Sequence, residues 1–181
     1  ADLPGATSST LVLTNVQVRQ AGSYAVAVNG PAGIVRSANA AILVAEAAVW
    51  GLDSQTNVPG DLTNVVAIAG GVSHTLVLKA DGTVVGWQFG DHDFGQEFAP
   101  VGLSNVVGIA AGEYHSLALK ADGTVTGWGF DKYEQTVAPL GLTNAVAIAA
   151  GQGHSLTLRA DGTVVAWGYD GYGQTDVPAG L

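Results

Sequence analysis

The sequence contains no cysteine, and it is poor in basic residues. Without cysteine the chain can form neither a disulfide nor a thiolate metal site, which leaves its redox compartment undetermined. Six lysines and arginines stand against 15 acidic residues, for a formal net charge of −9, and no basic run is present. Nucleic acid and anionic membranes are therefore poor partners on electrostatic grounds.

Long hydrophobic runs are also missing. No apolar stretch approaches the roughly 20 residues that span a bilayer, and the most apolar segment, residues 37–51, is interrupted by Glu46. The chain has no initiating methionine and no signal peptide, so we expect it to be a processed piece of a longer product. Its composition, 48% hydrophobic and 12% charged, predicts a folded core rather than disorder.

What the sequence does contain is a unit repeated three times. The units align without a gap over residues 65–87, 106–128 and 145–167. They share a glycine, a histidine, a Leu-x-Leu pair, the string Ala-Asp-Gly-Thr-Val and a closing tryptophan. Each unit is followed by a connector of variable length that carries Gln, Pro and Leu, and variable length is typical of loops. With their connectors the units cover residues 65–103, 106–142 and 145–181, after a leading connector at 47–64.

The pattern within each unit predicts β-structure. Alternating apolar residues predict two strands, and the Asp-Gly between them is a strong hairpin signal. The apolar run that opens each unit is interpreted as a third, buried strand, and the connector could add a fourth. Because so small a sheet cannot bury both faces alone, neighbouring units must stack. A period near 40 residues with regular Gly and Trp favours a β-propeller.

The repeat resembles the RCC1 repeat family. The resemblance rests on AAGEYHSLALKADGTVTGWG at residues 110–129, on its two sister segments, and on YGQTDVP at 172–178. It covers about residues 47–181 and is most similar to the bacterial secreted branch, which includes the propeller that inhibits β-lactamases. Since the family closes seven blades, the resemblance implies an all-β, partial propeller of three full blades and a flanking strand. Its open edges must be covered by further chain or by another copy.

Residues 1–46 do not repeat and are predicted to form a separate domain. Alternation predicts strands at 10–14, 22–29 and 34–44, with a turn at Gly30-Pro31. The segment AGSYAV resembles strand F of an immunoglobulin domain, with Tyr24 at the tyrosine position and Val26 in place of the cysteine. The resemblance implies strands E, F and G, which is half of an Ig-like sandwich.

The recurring polar and aromatic residues are interpreted as structural. We expect one histidine per unit to bond backbone at the glycine turn: His74, His115 and His154. We expect the aspartates to belong to hairpin turns: Asp81, Asp122 and Asp161. We expect the tryptophans to be wedges between blades: Trp50, Trp87, Trp128 and Trp167.

No pattern in the sequence predicts catalysis. The cluster Asp91, His92 and Asp93 lacks the frame of a calcium loop, so we expect no metal site there. Nucleophile elbows, phosphate loops and paired carboxylates are not found. We therefore predict a protein that is not an enzyme and that needs no cofactor.

Binding is predicted where the repeat leaves positions free, namely before each histidine and after each tryptophan. These positions carry aromatic side chains mixed with charge, and rigid scaffolds with variable loops are typical of binding proteins. The alternative is drift in tolerant loops. The candidate binding residues are Phe89, His92, Phe94, Glu113, Tyr114, Phe130, Tyr133, Tyr169 and Tyr172.

The function predicted first is a bacterial extracellular or cell-surface adhesion scaffold that binds a protein partner. A second hypothesis is self-assembly into a dimer or filament by completion of open sheets. A third, implied by the resemblance, is inhibition of a secreted enzyme such as a β-lactamase. Nucleotide exchange on a small GTPase, the activity of the family's namesake, is disfavoured by the acidic composition and the incomplete ring.

Overall fold

Short β-strands make up the regular structure in the part of the chain that can be described. The computed structural model describes residues 62–180, Pro59 and four short stretches nearer the N-terminus. The chain divides into two units, Ala1–Glu46 and Ala47–Leu181. Within the described ranges, no helix has the length and hydropathy that a bilayer crossing requires.

The described part of the first unit consists of two antiparallel strand pairs. Strand β1 (Gly22–Tyr24) pairs with β4 (Ala40–Ile42), and β2 (Ala27–Gly30) pairs with β3 (Gly33–Arg36). Strands β1 and β2 overlap the predicted strand at 22–29, and strands β3 and β4 overlap the predicted strand at 34–44. The pairing of Gly30 with Gly33 places the chain reversal at the predicted Gly-Pro turn. The predicted strand at 10–14 lies outside the described residues, and the Ig-like assignment stays a prediction.

The second unit contains three antiparallel sheets of three strands each, one for each repeat. The first sheet comprises β5 (Val65–Gly70), β6 (His74–Lys79) and β7 (Val84–Gln88). The second comprises β8 (Val106–Ala111), β9 (His115–Lys120) and β10 (Val125–Gly129). The third comprises β11 (Ala145–Ala150), β12 (His154–Arg159) and β13 (Val164–Gly168). The connectors, as far as they are described, form turns and add no fourth strand.

The Asp-Gly signal marks a hairpin in every sheet, as predicted. In the second sheet the Lys120 N–H donates to the carbonyl of Thr124, and the Gly123 N–H donates to the carbonyl of Lys120. Gly123 has a φ of 77°, which fits a type I turn closed by a left-handed glycine. Asp122 accepts hydrogen bonds from the hydroxyl and the backbone N–H of Thr124, and these bonds lower the pKa of its carboxyl to about 2.

The opening strand of each unit differs from the prediction of a buried strand. Its register with the next strand shifts at the second residue of the repeat, which is the extra residue of a β-bulge. These bulged valines are more than half exposed: Val66 (60%), Val107 (59%) and Val146 (54%). A continuous apolar run cannot distinguish a buried strand from one whose bulge turns a side chain outward.

The core lies between consecutive sheets. Trp128 of β10 is packed in a buried cluster with Leu76 and Leu78 of the preceding sheet. Trp167 of β13 lies in a second cluster with Ala110 and Leu117. The prediction of tryptophan wedges is confirmed for these two residues. Trp50 lies outside the described residues. The three sheets therefore pack side by side in chain order.

Candidate binding surface

The side chain of one glutamine holds the backbone of each connector through a hydrogen bond. Its side-chain Oε1 accepts a hydrogen bond from the backbone N–H of the aromatic residue two positions earlier. The pairs are Phe94 with Gln96 at 2.8 Å, Tyr133 with Gln135 at 2.9 Å and Tyr172 with Gln174 at 2.9 Å. The residue between them has a positive φ: Gly95 at 73°, Glu134 at 59° and Gly173 at 74°. The motif aromatic-x-Gln therefore fixes one ring on the outside of every connector.

The backbone carbonyl of the same glutamine links the connector to the next sheet. The carbonyl oxygen of Gln96 accepts hydrogen bonds from Ser116 Oγ at 2.7 Å and from Trp128 Nε1 at 2.8 Å. The next copy repeats this arrangement, with Gln135 accepting from Ser155 Oγ at 2.7 Å and from Trp167 Nε1 at 2.9 Å. Because one carbonyl oxygen accepts from both the serine and the tryptophan of the next sheet, the position of the connector relative to that sheet is fixed.

The repeated histidines complete this network. His74 Nε2 lies 2.8 Å from Ser116 Oγ, and His115 Nε2 lies 3.0 Å from Ser155 Oγ. Because each serine donates its only proton to a glutamine carbonyl, the Oγ accepts from Nε2–H of the imidazole. Burial lowers the pKa of both imidazoles to about 4. The predicted partner was backbone at the glycine turn. The actual partner is a hydroxyl of the next sheet, which a single repeat cannot reveal.

The invariant glycine before each histidine leaves room for the imidazole. A Cβ on Gly112 would overlap the His115 ring and would lie 2.6 Å from the carbonyl oxygen of Gly151. Any side chain at this position would therefore push adjacent sheets apart. The conserved parts of the repeat serve to join the sheets, which leaves the connector surface free for other roles.

Rings from all three repeats form one continuous surface, which we call the aromatic row. Its members are His92, Phe94, Tyr114, Phe130, Tyr133, Tyr169 and Tyr172. Ring centroids are 4.8 Å apart for Phe94 and Phe130, 6.3 Å for Phe130 and Tyr133, 4.7 Å for Tyr133 and Tyr169, and 6.0 Å for Tyr169 and Tyr172. The steps of 4.8 and 4.7 Å cross from one connector to the next.

The aromatic row is accessible to a partner. Tyr172 is 90% exposed, Phe94 is 44% exposed and Tyr133 is 37% exposed. Phe130 and Tyr169 are half-buried and support the more exposed rings on either side. A row of apolar rings that solvent reaches, on loops fixed by buried hydrogen bonds, is suited to contact another molecule with little loss of entropy.

Acidic residues adjoin the row in the sequence, and basic residues are scarce in the connectors. Lys132 is the only lysine or arginine of the connectors, residues 89–105, 130–144 and 169–180. Its ammonium lies 5.3 Å from the centroid of the Tyr133 ring, in a cation–π contact. The neighbouring acids are Asp91, Asp93, Glu113, Asp131, Glu134 and Asp170.

The structure brings together seven of the nine candidate binding residues. Glu113 is next to Tyr114, and its charge and hydrogen bond add to desolvation in raising the pKa of the Tyr114 hydroxyl. Phe89 makes no ring contact with the described members of the row, whereas the equivalent residues Phe130 and Tyr169 each contact a ring of the preceding connector. Sequence reasoning gave no role to the glutamines, although the recurring aromatic-x-Gln spacing was a usable signal.

Among the residues that the structure describes, no cluster of three or more His, Asp or Glu could hold a metal ion. An open cleft of about 390 Å³ lies where the first strands of the three sheets end. Backbone and small side chains form much of its lining: Gly70, Gly71, Val72, Ala111, Gly112, Glu113, Ala150, Gly151 and Gln152.

Comparison with known proteins supports the repeat assignment. The family model of the regulator of chromosome condensation (RCC1) repeat matches residues 106–135 and 145–174. No curated protein matches the sequence significantly.

Solved structures with the same fold include Prp20p of Saccharomyces cerevisiae, which is 27% identical to this chain with a TM-score of 0.54. The match covers 68% of this chain and 34% of Prp20p. The ectodomain of the receptor kinase CR4 of Physcomitrella patens is 26% identical with a TM-score of 0.50, over 58% of this chain and 29% of that one. Yeast RCC1 (Prp20), in its complex with Kap60, is 24% identical with a TM-score of 0.51, and the match covers 68% of this chain and 37% of that one.

This chain therefore spans about a third of the length of the structures it matches. Its likeness to the β-lactamase-inhibiting branch stays a prediction. The family match over residues 106–135 and 145–174, the similar solved structures and the three packed sheets together support an RCC1-like repeat propeller for this part of the chain.

Proposed function

We propose that this chain is a non-catalytic, protein-binding scaffold and that the aromatic row is its contact surface. The observation that supports this most strongly is the row itself, in which six rings on the connectors of three repeats meet one another and Tyr114 of the loop between β8 and β9. Aromatic side chains are typical anchors of protein interfaces. Prp20p, which shares the fold, binds Gsp1p and histones.

Selection of binders tests this proposal. A peptide and protein display library is selected on the immobilised chain, and the recovered clones are tested against the double variant Tyr133→Ser/Tyr172→Ser. We expect most clones to lose binding to this variant. The matched control is Leu140→Ser, because Leu140 is fully exposed but lies outside the row. Clones that bind the wild type and the double variant equally would contradict the proposal.

An extracellular or cell-surface location is part of the proposal, supported by the similar fold of the CR4 ectodomain. Inhibition of a secreted enzyme is a special case, which a panel of β-lactamase assays at micromolar concentrations of the chain would test. Inhibition that Tyr133→Ser/Tyr172→Ser abolishes would support it, and unchanged activity would exclude it for the enzymes in the panel.

Self-association is the second candidate, and the bulged valines favour it. Val66, Val107 and Val146 expose a line of apolar groups along consecutive sheets, and such stripes are often covered in assemblies. Sedimentation velocity over a wide concentration range tests this. A mass that rises with concentration in the wild type and not in Val107→Thr supports it, and a constant monomer mass contradicts it.

A further inference from the structure

We propose that the aromatic row takes an extended peptide segment whose arginine or lysine side chains lie over the rings and between the surrounding carboxylates. This inference rests on the proposed function and names the chemistry of the partner. It follows from three properties of the row: its continuous path across three repeats, the orientation of its rings and the sign of the charge near it.

The shape of the row favours a linear occupant. From Phe94 to Tyr172 the centroids follow one another in steps of 4.8, 6.3, 4.7 and 6.0 Å. An extended segment of about seven residues, at ~3.3 Å per residue, would cover this path. A small globular ligand would contact only part of it.

The orientation of the rings argues against a sugar polymer. A chain of pyranose rings stacks best on aromatic faces that lie in one plane. Here successive rings are inclined to one another by 55°, 77°, 49° and 80°. Alternating faces and edges leave separate sites for side chains, and a peptide can place its side chains in them on alternate positions.

The charge around the row selects a cationic occupant. The faces of aromatic rings attract cations through their quadrupole. Asp91, Glu113 and Glu134 adjoin members of the row in the sequence, and Glu113 interacts with the Tyr114 hydroxyl, in a chain with a net charge of −9. A nucleic acid or an acidic peptide would be repelled by this surface.

Lys132 is an internal example of the proposed contact. Its ammonium occupies the face of Tyr133 at 5.3 Å from the ring centroid. Tyr133 belongs to the middle of the row, between Phe130 and Tyr169. An arginine of the partner would compete with Lys132 for this face and would be repelled by its charge. Removing Lys132 should therefore strengthen binding.

Fluorescence anisotropy with defined peptides tests the proposal. The probe is a labelled peptide of about nine residues with arginine at alternate positions and glycine or serine between them. The comparison peptide carries citrulline, which keeps the shape of arginine and loses its charge. We expect the arginine peptide to bind, and the citrulline peptide to bind about tenfold more weakly. Binding of the arginine peptide should also weaken as salt is raised.

Variants assign the binding to the row. We expect Tyr133→Ser/Tyr172→Ser to lose at least about tenfold in affinity for the arginine peptide, and Glu134→Gly to lose several-fold. Lys132→Gln should gain about two- to threefold. Leu140→Ser should bind like the wild type. Circular dichroism of each variant ensures that a loss reflects the surface rather than unfolding.

The outcomes separate this inference from the proposed function. Equal binding of the arginine and citrulline peptides, no binding of the arginine peptide, or undiminished binding by the double tyrosine variant would overturn the inference. Preferential binding of a proline-rich peptide or of cellohexaose would also overturn it. If display selection still yields protein binders that depend on Tyr133 and Tyr172 but carry no cationic segment, the proposed function stands and the inference fails.

Discussion

His74 Nε2 lies 2.8 Å from Ser116 Oγ, although the two residues are 42 positions apart in the chain. The bond joins the first sheet to the second, and the same hydroxyl donates to the carbonyl of Gln96. One chain of hydrogen bonds thus connects a sheet, its neighbour and the connector that carries Phe94. Packing between sheets and the position of the binding surface are therefore coupled.

Ser116→Ala should destabilise the fold. The substitution leaves the buried Nε2–H of His74 without its acceptor, while Gln96 keeps the indole of Trp128 as a donor. A buried polar group left unpaired costs about 1–3 kcal/mol. We expect a loss of this size in the free energy of urea unfolding. Ser104→Ala, at an exposed position, serves as control. A Ser116→Ala variant as stable as this control would contradict the network.

The free energy of unfolding should decrease as the pH is lowered from 6.5 to 4. Histidine in the unfolded chain takes up a proton near pH 6.5, while His74 and His115 in the folded protein stay neutral down to about pH 4. In this interval the unfolded state binds more protons, so the free energy of unfolding increases with pH. Each histidine contributes a slope of at most about 1.4 kcal/mol per pH unit.

Urea titrations at several pH values measure this slope. His115→Gln removes one of the two titrating groups and should give a shallower dependence than the wild type. Above pH 6.5 the histidine contribution is complete, so the two curves should run parallel there. Identical slopes below pH 6.5 would show that His115 is not held neutral by burial.

Glu97→Thr should stabilise the protein, and more so at high pH. The Glu97 side chain is 6% exposed, and its Oε2 has no hydrogen-bond partner in the described part of the chain. Burial, with a smaller effect of Asp93, raises the pKa of this carboxyl. A raised folded-state pKa means that the carboxyl costs stability above pH 4.5, increasingly as the pH rises.

The other two repeats carry Thr136 and Thr175 at this position, so threonine fits the site. We expect Glu97→Thr to gain about 1 kcal/mol or more at pH 8 and less near pH 4.5. Thermal melts at both pH values test this. A gain independent of pH would indicate that packing, rather than a buried charge, distinguishes the two side chains.

Glu134→Gly should also stabilise the protein. Glu134 has a φ of 59°, a left-handed conformation that costs a residue with a Cβ about 1–2 kcal/mol. Glycine relieves this strain but loses part of the gain to its greater freedom when unfolded. We expect a net increase of up to about 1 kcal/mol in unfolding free energy. Lys132→Gly, two residues away and without a positive φ, should bring no gain, and equal effects of both would contradict this explanation.

The repeat made much of the fold predictable. Alternation and Asp-Gly turns predicted three strands for each unit, and the closing tryptophans predicted contacts between units. The bulges at Val66, Val107 and Val146 were not predictable, because a run of apolar residues has no period that marks an extra residue.

The sequence predicted which residues belong to the candidate site, but it did not predict which of them contact one another across repeats. Variation after each tryptophan pointed to Phe94, Tyr133 and Tyr172, and the structure places them on adjacent connectors. Phe130 and Tyr169 join the row through a ring of the preceding connector, and Phe89 has no such contact with the described members of the row. Such a relation links different sheets, and spacing along one repeat contains no information about it.

The central claim is that the connectors of successive repeats meet in one aromatic surface, and ring contacts in solution test it most directly. The Tyr133 and Tyr169 centroids are 4.7 Å apart although the residues belong to different repeats. In a nuclear Overhauser spectrum of the wild-type chain with labelled tyrosines, we predict a cross-peak between their ring protons that disappears in Tyr169→Ser. Assigned tyrosine signals without this cross-peak would contradict the claim.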